Sequence, residues 1–236
     1  MISVDLHIQK NYKRLLFKHK ANLGLAYDGD ADRLIAVDEN GNIVDGDHIM
    51  VLSAIHLKNK GKLAQDTLVV TVMSNIGLTI AAKEHGINLA TTAVGDRYVL
   101  EEMKNSGYNL GGEQSGHMIF LDYNTTGDGV LSSLVLAQIV LEEGKNLSEL
   151  AAVMTQYPQV LVNARIKNEN KNRYMEYPEI KSEIERIEKL LDGCGRVLIR
   201  PSGTEPLVRV MLEGKEEGQI KELATNLANL IQEKLS

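Results

Sequence analysis

Apolar and polar positions alternate along this chain with periods that mark its elements. Residues 9–20 place Tyr12, Leu15, Leu16 and His19 at helical spacing, so a short helix is expected there. Apolar runs at 22–27 and 34–37 read as strands, and the second turns back through Asn40-Gly41, a strong short hairpin signal. Helix is expected at 49–57, 76–85, 98–104 and 128–141, with strands at 68–73, 89–94, 108–110 and 118–121. Alternation of this kind implies crossover connections and a mixed, mostly parallel sheet with helices on both faces. Beyond Gln156-Tyr157-Pro158 the order becomes strand (160–166), helix (175–191), strand (196–199), strand (207–212), helix (216–235). Ile180, Ile184, Ile187 and Leu191 form one apolar stripe; Ile220, Leu223, Leu227, Ile231 and Leu235 form another. Two amphipathic helices over one face of a small sheet make an α+β domain. The fold class is therefore α/β: the end of one α/β domain over 1–43, a complete α/β domain over 44–155, and a smaller α+β domain over 156–236. The opening section is too small to stand alone and reads as the tail of a domain whose beginning is missing. Residues 1–21, lacking sheet neighbours of their own, are expected to be mobile or to dock non-natively.

Bulk composition narrows the function classes. The 236 residues are 43% hydrophobic and 25% charged, an ordinary composition for a soluble globular protein. A net charge of -6 leaves no general nucleic-acid footprint, so any anion site must be a local cluster. Asp5, His7, Lys10, Lys13 and Arg14 interrupt the first 20 residues, so these make neither a signal peptide nor a membrane span. Cys194 is the single cysteine; no internal disulfide can form, and a reducing, cytoplasmic setting is expected.

The chemistry gathers in loops. Asp28-Gly29-Asp30-Ala31-Asp32-Arg33 puts three carboxylates at alternate positions between two apolar runs. Such side chains repel at close range unless a cation or proton intervenes, so the loop suits a hard metal ion. A calcium loop of the EF-hand type would need Gly at Arg33 and flanking helices. A phosphate-transferring aspartate of the haloacid-dehalogenase kind normally has Thr or Val where Asp32 stands. A solvated acidic turn is the plain alternative. In Gly111-Gly112-Glu113-Gln114-Ser115-Gly116-His117, Glu and Ser can take hydrogen bonds from sugar hydroxyls, and a tight turn between strands is equally compatible. Gly95-Asp96-Arg97 lies between a strand and a helix, where Arg97 can meet phosphate and Asp96 can act as acid, base or, more simply, helix cap. Residues 125–129 read as a helix cap. Arg200-Pro201-Ser202-Gly203-Thr204-Glu205-Pro206, with Arg209 beyond, gathers two hydroxyls, a flexible glycine and two arginines into an anion nest.

These three loops, DGDADR, GEQSGH and RPSGTEP, in this order and separation, resemble the α-D-phosphohexomutase superfamily over essentially the whole chain from about Asn22. Any one loop is only suggestive; three in order are specific. The GEQSGH form, the TAVGDRYV stretch at 92–99 and RPSGTEP are most similar to the branch acting on glucosamine phosphates. The resemblance implies a four-domain enzyme, of which this chain would hold the end of domain two (1–43), domain three (44–155) and domain four (156–236). It implies intramolecular phosphotransfer between glucosamine 6-phosphate and glucosamine 1-phosphate through a bisphosphate, with phosphomannose or phosphoglucose as alternative sugars. Asp28, Asp30 and Asp32 would hold Mg2+, and Arg33 would face the transferring phosphoryl group. Glu113, Ser115 and His117 would meet the sugar; Arg200, Ser202, Gly203, Thr204 and Arg209 would clamp the non-reacting phosphate. Two departures stand out. No Thr-Ala-Ser-His-Asn-Pro-like loop is present, so the phosphoserine domain would be missing and the chain alone inactive. No Lys follows the strand ending Val72-Met73-Ser74-Asn75, which leaves Asp96, Arg97 or His117 for proton transfer. A non-catalytic sugar-phosphate-binding protein is the reading from another class.

Overall fold

The computed structural model describes residues 14–236. The expected helix over 9–20 is helical at 14–19, and its beginning, like the rest of the segment expected to be mobile before Arg14, lies outside the described residues. The chain forms two compact units, one up to Thr155 and one from Gln156 to Ser236.

In the first unit, β1 (Leu23–Tyr27), β2 (Leu34–Asp38) and β3 (Ile43–Val44) form an antiparallel sheet in that order. Leu23 pairs with Asp38 and Tyr27 with Leu34, so residues 28–33 are the tip of a hairpin. The Asn40-Gly41 turn joins β2 to β3, with Gly41 at φ 81 as such a turn requires. α1 (Gly46–Asn59) follows, its Asp45 cap accepting from the His48 amide at 3.2 Å.

β4 (Thr67–Thr71), α2 (Ile76–Glu84), β5 (Asn88–Thr92), α3 (Asp96–Ser106), β6 (Leu110–Gly112) and β7 (Met118–Phe120) build a second sheet, ordered β5-β4-β6-β7. β4 pairs in parallel with β5 and β6, whereas β6 and β7 pair antiparallel. All five β4 residues are buried, because helices cover both faces. Leu68 and Val70 enter the larger core, together with Leu52, Leu78 and Leu136. Val69 points the other way, onto Val99 and Met103 of α3. The strand expected at 108–110 is displaced to Leu110–Gly112. There Gly111 lies so close to Met103 and Val69 that a Cβ would be 2.8 Å and 2.9 Å from them. Bareness at Gly111 lets the strand pack, and the first two glycines of the 111–117 stretch belong to the sheet. α4 (Gly129–Glu143) closes the unit, together with the short α5 (Leu147–Ala151), which was not expected.

The second unit is an antiparallel sheet ordered β8-β10-β9, from β8 (Gln159–Arg165), β9 (Arg196–Pro201) and β10 (Leu207–Glu213). α6 (Pro178–Leu191) packs on β9, and α7 (Glu217–Leu235) packs on β8 and β10. The expected stripes are the buried ones: Ile180, Ile187 and Leu191, and Ile220, Leu223, Leu227, Ile231 and Leu235. Burial of each such side chain contributes about 1.5–3 kcal/mol, so packing holds these helices more than propensity does. Among the described residues no helix is long and apolar enough to cross a membrane.

Candidate functional site

The acidic loop is held by its own backbone. At the β1–β2 tip the Ala31 amide donates to the Asp28 carbonyl at 3.3 Å, and Ala31 has φ 59, the left-handed conformation that turns the chain sharply. The arrangement brings one carboxylate oxygen from each of Asp28, Asp30 and Asp32 within 4.8 Å of one another. Arg33 folds back over them, its Nε 3.6 Å from Asp28 and 3.7 Å from Asp32, while its amide donates to Asp28 Oδ1 at 3.3 Å. Among the described residues, Asp32 Oδ1 and Arg33 Nε are shielded from solvent without a hydrogen-bond partner. Three hard oxygen donors at this spacing, one of them orphaned, fit a divalent cation with oxygen preference.

The glycine-rich turn 113–117 lies directly against this hairpin. The Leu34 amide donates to the Gly116 carbonyl at 3.0 Å, and Arg33 forms an antiparallel bridge with His117. Gly116 has φ 95, and a Cβ on it would be 2.2 Å from the Leu34 carbonyl oxygen, so the approach demands glycine. On its other side the turn meets the start of α1: the Gly46 amide donates to Gln114 at 3.1 Å, and a Cβ on Gly46 would be 2.3 Å from the Glu113 carbonyl. Glu113 accepts the Gly95 amide on Oε1 at 2.9 Å. Ser115 Oγ is buried without a hydrogen-bond partner among the described residues.

His117 is 4% exposed. Its Nδ1 is 3.0 Å from Asp32 Oδ2, and its Nε2 accepts the Gly127 amide at 3.2 Å. A Cβ on Gly127 would be 2.4 Å from the imidazole ring. Gly129, first residue of α4, donates to the Ala31 carbonyl at 2.9 Å, and a Cβ there would be 2.6 Å from the Arg33 carbonyl. Asp128 caps α4, as expected, by accepting from the Leu131 amide at 2.9 Å. Gly129 brings that helix start against the hairpin and Gly127 brings the cap against His117, a role sequence reading missed. Its signal was a glycine on each side of the cap.

Asp96 and Arg97 fall differently. Gly95, at φ 133, takes the cap position of α3, and Asp96 is the first helical residue rather than its cap. The Asp96 carboxylate is 64% exposed and 4.0 Å from His117 Nε2. Arg97 is 79% exposed and paired with Glu101 at 2.8 Å one turn on; that hydrogen bond and charge raise its guanidinium above the ordinary value.

In the second unit, Arg200 on β9 lies opposite Arg209 on β10, side by side across the strand pair. Burial, and then the Arg209 charge, pull the Arg200 guanidinium below its ordinary value. Ser202 is buried and its Oγ accepts the Glu205 amide at 3.1 Å, tightening the loop; Gly203 and Thr204 are exposed at its tip. The Pro206 carbonyl accepts from Ile166 at 3.1 Å. Lys171, which the sequence did not single out, donates to the Ser202 carbonyl at 2.9 Å. Three cations therefore surround a loop whose one carboxylate, Glu205, is 3.7 Å from Arg209. Like charges so gathered favour an anion.

The site can be set beside known proteins. Residues 45–157 match the family model described as phosphoglucomutase/phosphomannomutase, alpha/beta/alpha domain III, and residues 161–230 match phosphoglucomutase/phosphomannomutase, C-terminal domain. The chain is 83% identical over 224 residues to a phosphoglucosamine mutase of Clostridioides difficile, covering 95% of this chain and 50% of that relative. A phosphoglucosamine mutase of Caldanaerobacter subterraneus is 64% identical, with the same coverage, 95% and 50%. The chain thus spans about half the length of the curated relatives it matches. An Aspergillus fumigatus N-acetylphosphoglucosamine mutase, solved with GlcNAc-6P and magnesium, superposes with a TM-score of 0.72 at 23% identity, over 90% of this chain and 49% of that one. A Burkholderia thailandensis phosphoglucomutase/phosphomannomutase family protein gives 0.72 at 20% identity, over 97% and 51%.

Proposed function

Because the chain belongs to the phosphoglucomutase/phosphomannomutase family, we propose that it supplies the metal, sugar and phosphate loops of a mutase interconverting glucosamine 6-phosphate and glucosamine 1-phosphate in the cytoplasm. Residues 1–43 are the end of its domain two, 44–155 its domain three and 156–236 its domain four. What carries the reading is the direct backbone seam between acidic hairpin and glycine-rich turn, the Leu34 amide on the Gly116 carbonyl at 3.0 Å. It sets a candidate cation site beside a candidate sugar site.

Asp28, Asp30 and Asp32 hold Mg2+ in this reading. Charge on the transferring phosphoryl group is neutralised when that ion is bound. Arg33, kept over the carboxylates by Asp28 and Asp32, adds a second positive charge at the same point. Glu113 has one oxygen fixed by the Gly95 amide and offers the other to a sugar hydroxyl. Ser115 Oγ, buried without a partner among the described residues, gains one when a sugar hydroxyl reaches it. Arg200, Ser202, Gly203, Thr204 and Arg209 take the non-reacting phosphate, with Lys171 as a further cation. The phosphoseryl nucleophile is supplied from outside these residues, so the chain alone binds but does not turn over. Asp96, exposed at the start of α3, is the candidate proton carrier; Arg97, engaged with Glu101 on the outer surface, is the weaker one.

Calorimetric titration of the chain with glucosamine 6-phosphate, with and without Mg2+, tests the proposal. Loss of one charge-assisted contact of about 1.5–3 kcal/mol should weaken binding at least about tenfold in Arg200→Ala. Glucose 6-phosphate and mannose 6-phosphate bound as tightly as glucosamine 6-phosphate would refute the sugar assignment. Equal binding by Arg200→Ala would refute the clamp.

A further inference from the structure

We propose that Asn40-Gly41 is a self-modifying site whose reaction Asp38 holds off while the turn between β2 and β3 is closed. Asn-Gly occurs once in the chain. In such a pair the glycine nitrogen can attack the asparagine side-chain carbonyl carbon, because no Cβ on the glycine stands in the way. A carbon–nitrogen bond forms, and the side-chain nitrogen leaves as ammonia, taking up the proton that the Gly41 N–H gave away. Water then opens the five-membered succinimide at either carbonyl. The products are aspartate, or isoaspartate with one more methylene in the main chain; no oxidant, cofactor or other protein takes part. Asn40 is exposed, so water and base reach it. The proposal is independent of what the candidate site binds.

The closed turn withholds the nucleophile. Attack needs the Gly41 N–H proton removed, yet that N–H donates to the Asp38 carbonyl at 2.9 Å. A negative nitrogen formed there would lose this bond and face the carbonyl oxygen, which repels it. The Asp38 carboxylate, 2% exposed, fastens the same turn from inside. Its Oδ1 accepts the Asn40 amide at 2.9 Å and the Asn42 amide at 2.8 Å, and its Oδ2 accepts Asn42 Nδ2 at 2.9 Å. The Asp38 amide in turn donates to the Asn42 carbonyl at 2.9 Å. Asn40 Nδ2 is tied to Glu39 Oε1 at 3.2 Å, and Glu39 is itself held by the Ser148 amide at 3.3 Å. Reaction therefore waits on opening of the turn, a local event with its own free energy. Either product replaces the Asn40 donor with a carboxylate beside Glu39, where like charges repel, so the turn left behind is looser.

Ageing of the whole chain in one buffer tests this, with peptide mass spectrometry locating each exchange of amide for acid. Unfolded in urea, the chain should react at Asn40 before any other asparagine. Folded wild type should react there at least about tenfold more slowly, a factor equivalent to about 1.4 kcal/mol of opening. Hydrogen exchange at the Gly41 amide, followed by NMR, should be slowed by a similar factor, because both reactions use the open turn. Asp38→Ala, shown to be folded by circular dichroism, should lose most of the protection in both readouts. Equal rates for folded and unfolded wild type would overturn the proposal. So would faster reaction of another asparagine in the unfolded chain, or a folded Asp38→Ala as protected as wild type. If Asp38→Ala does not fold, the wild-type comparison and the Gly41 exchange rate decide.

Discussion

Replacing Gly116 with alanine should destabilise the first unit by about 2–4 kcal/mol, the sum of two costs visible at that position. Gly116 has φ 95, where an L side chain is strained by about 1–3 kcal/mol. Its new Cβ would also be 2.2 Å from the Leu34 carbonyl oxygen, 2.9 Å from the carbonyl carbon and 3.0 Å from the Leu34 nitrogen. An ordinary carbon–oxygen contact of about 3.3 Å requires the turn and β2 to part by about 1 Å. That movement breaks the Leu34-to-Gly116 hydrogen bond, worth about 0.5–1.5 kcal/mol net. The matched control is Gly203→Ala in the phosphate loop, where a Cβ meets nothing within 4 Å; there the change should stay within about 0.5 kcal/mol. Urea unfolding read by far-UV circular dichroism, with calorimetry to resolve the two units separately, supplies the assay. A loss below about 1 kcal/mol for Gly116→Ala, or an equal loss for Gly203→Ala, would refute the claim that glycine is required at the seam. Because the seam carries the acidic hairpin, Gly116→Ala should also weaken Mg2+ binding, which the same protein sample can report.

The phosphate loop and the far end of α4 give two further expectations. Lys171→Gln keeps a donor for the Ser202 carbonyl but removes a charge, so inorganic phosphate should bind several-fold more weakly, on the order of 1 kcal/mol, while Lys171→Arg should not. Equal binding by Gln and wild type in a calorimetric titration would reduce Lys171 to a brace of the loop. Glu142 is held down to about 2 by hydrogen bonds from Gln138 and Lys60. A carboxylate lowered on folding stabilises fully above its unfolded pKa and progressively less as pH falls toward its folded one. The difference in Tm between wild type and Glu142→Gln should therefore be constant near neutrality and shrink from about pH 4.5 towards 2. A difference that grew on acidification would contradict that sign.

Much of the fold was legible because local patterning and tertiary structure agree. The two amphipathic stripes became the buried faces of α6 and α7, and Asn40-Gly41 became the turn into β3. Where tertiary packing overrides the local signal, the reading slipped. Tyr108 looks more strand-like than Gly111 and Gly112, yet a bare backbone at Gly111 is what lets β6 lie against Met103 and Val69. Asp96 resembles a cap, but Gly95, its amide taken by Glu113, holds the cap position, and the helix starts at Asp96, one residue earlier than a capping Asp96 would allow. α5 has 5 residues, too few to show a period; its signal was the Asn146–Glu149 capping box. Lys171 sits in an irregular segment, where nothing local ties it to Ser202.

The candidate site shows the same division more sharply. Residue types suggest a ligand for each loop by itself: three aspartates suit a cation, a glutamate with a serine suits hydroxyls, and, in the second unit, paired arginines suit an anion. Its assembly was hidden because backbone groups of glycines make it. Gly46 and Gly129 begin two helices, and each presses on a loop distant in sequence: Gly46 on the turn at 113–116, Gly129 on the hairpin at 31–33. Gly127 holds the ring of His117, and His117 in turn holds Asp32. Displacing any one of these glycines therefore moves a carboxylate or a hydroxyl several residues away without touching it. Acidic hairpin and glycine-rich turn are in this sense one object. Cation affinity and sugar affinity should respond together to changes at the seam between them, even though no residue of one loop is chemically interchangeable with a residue of the other.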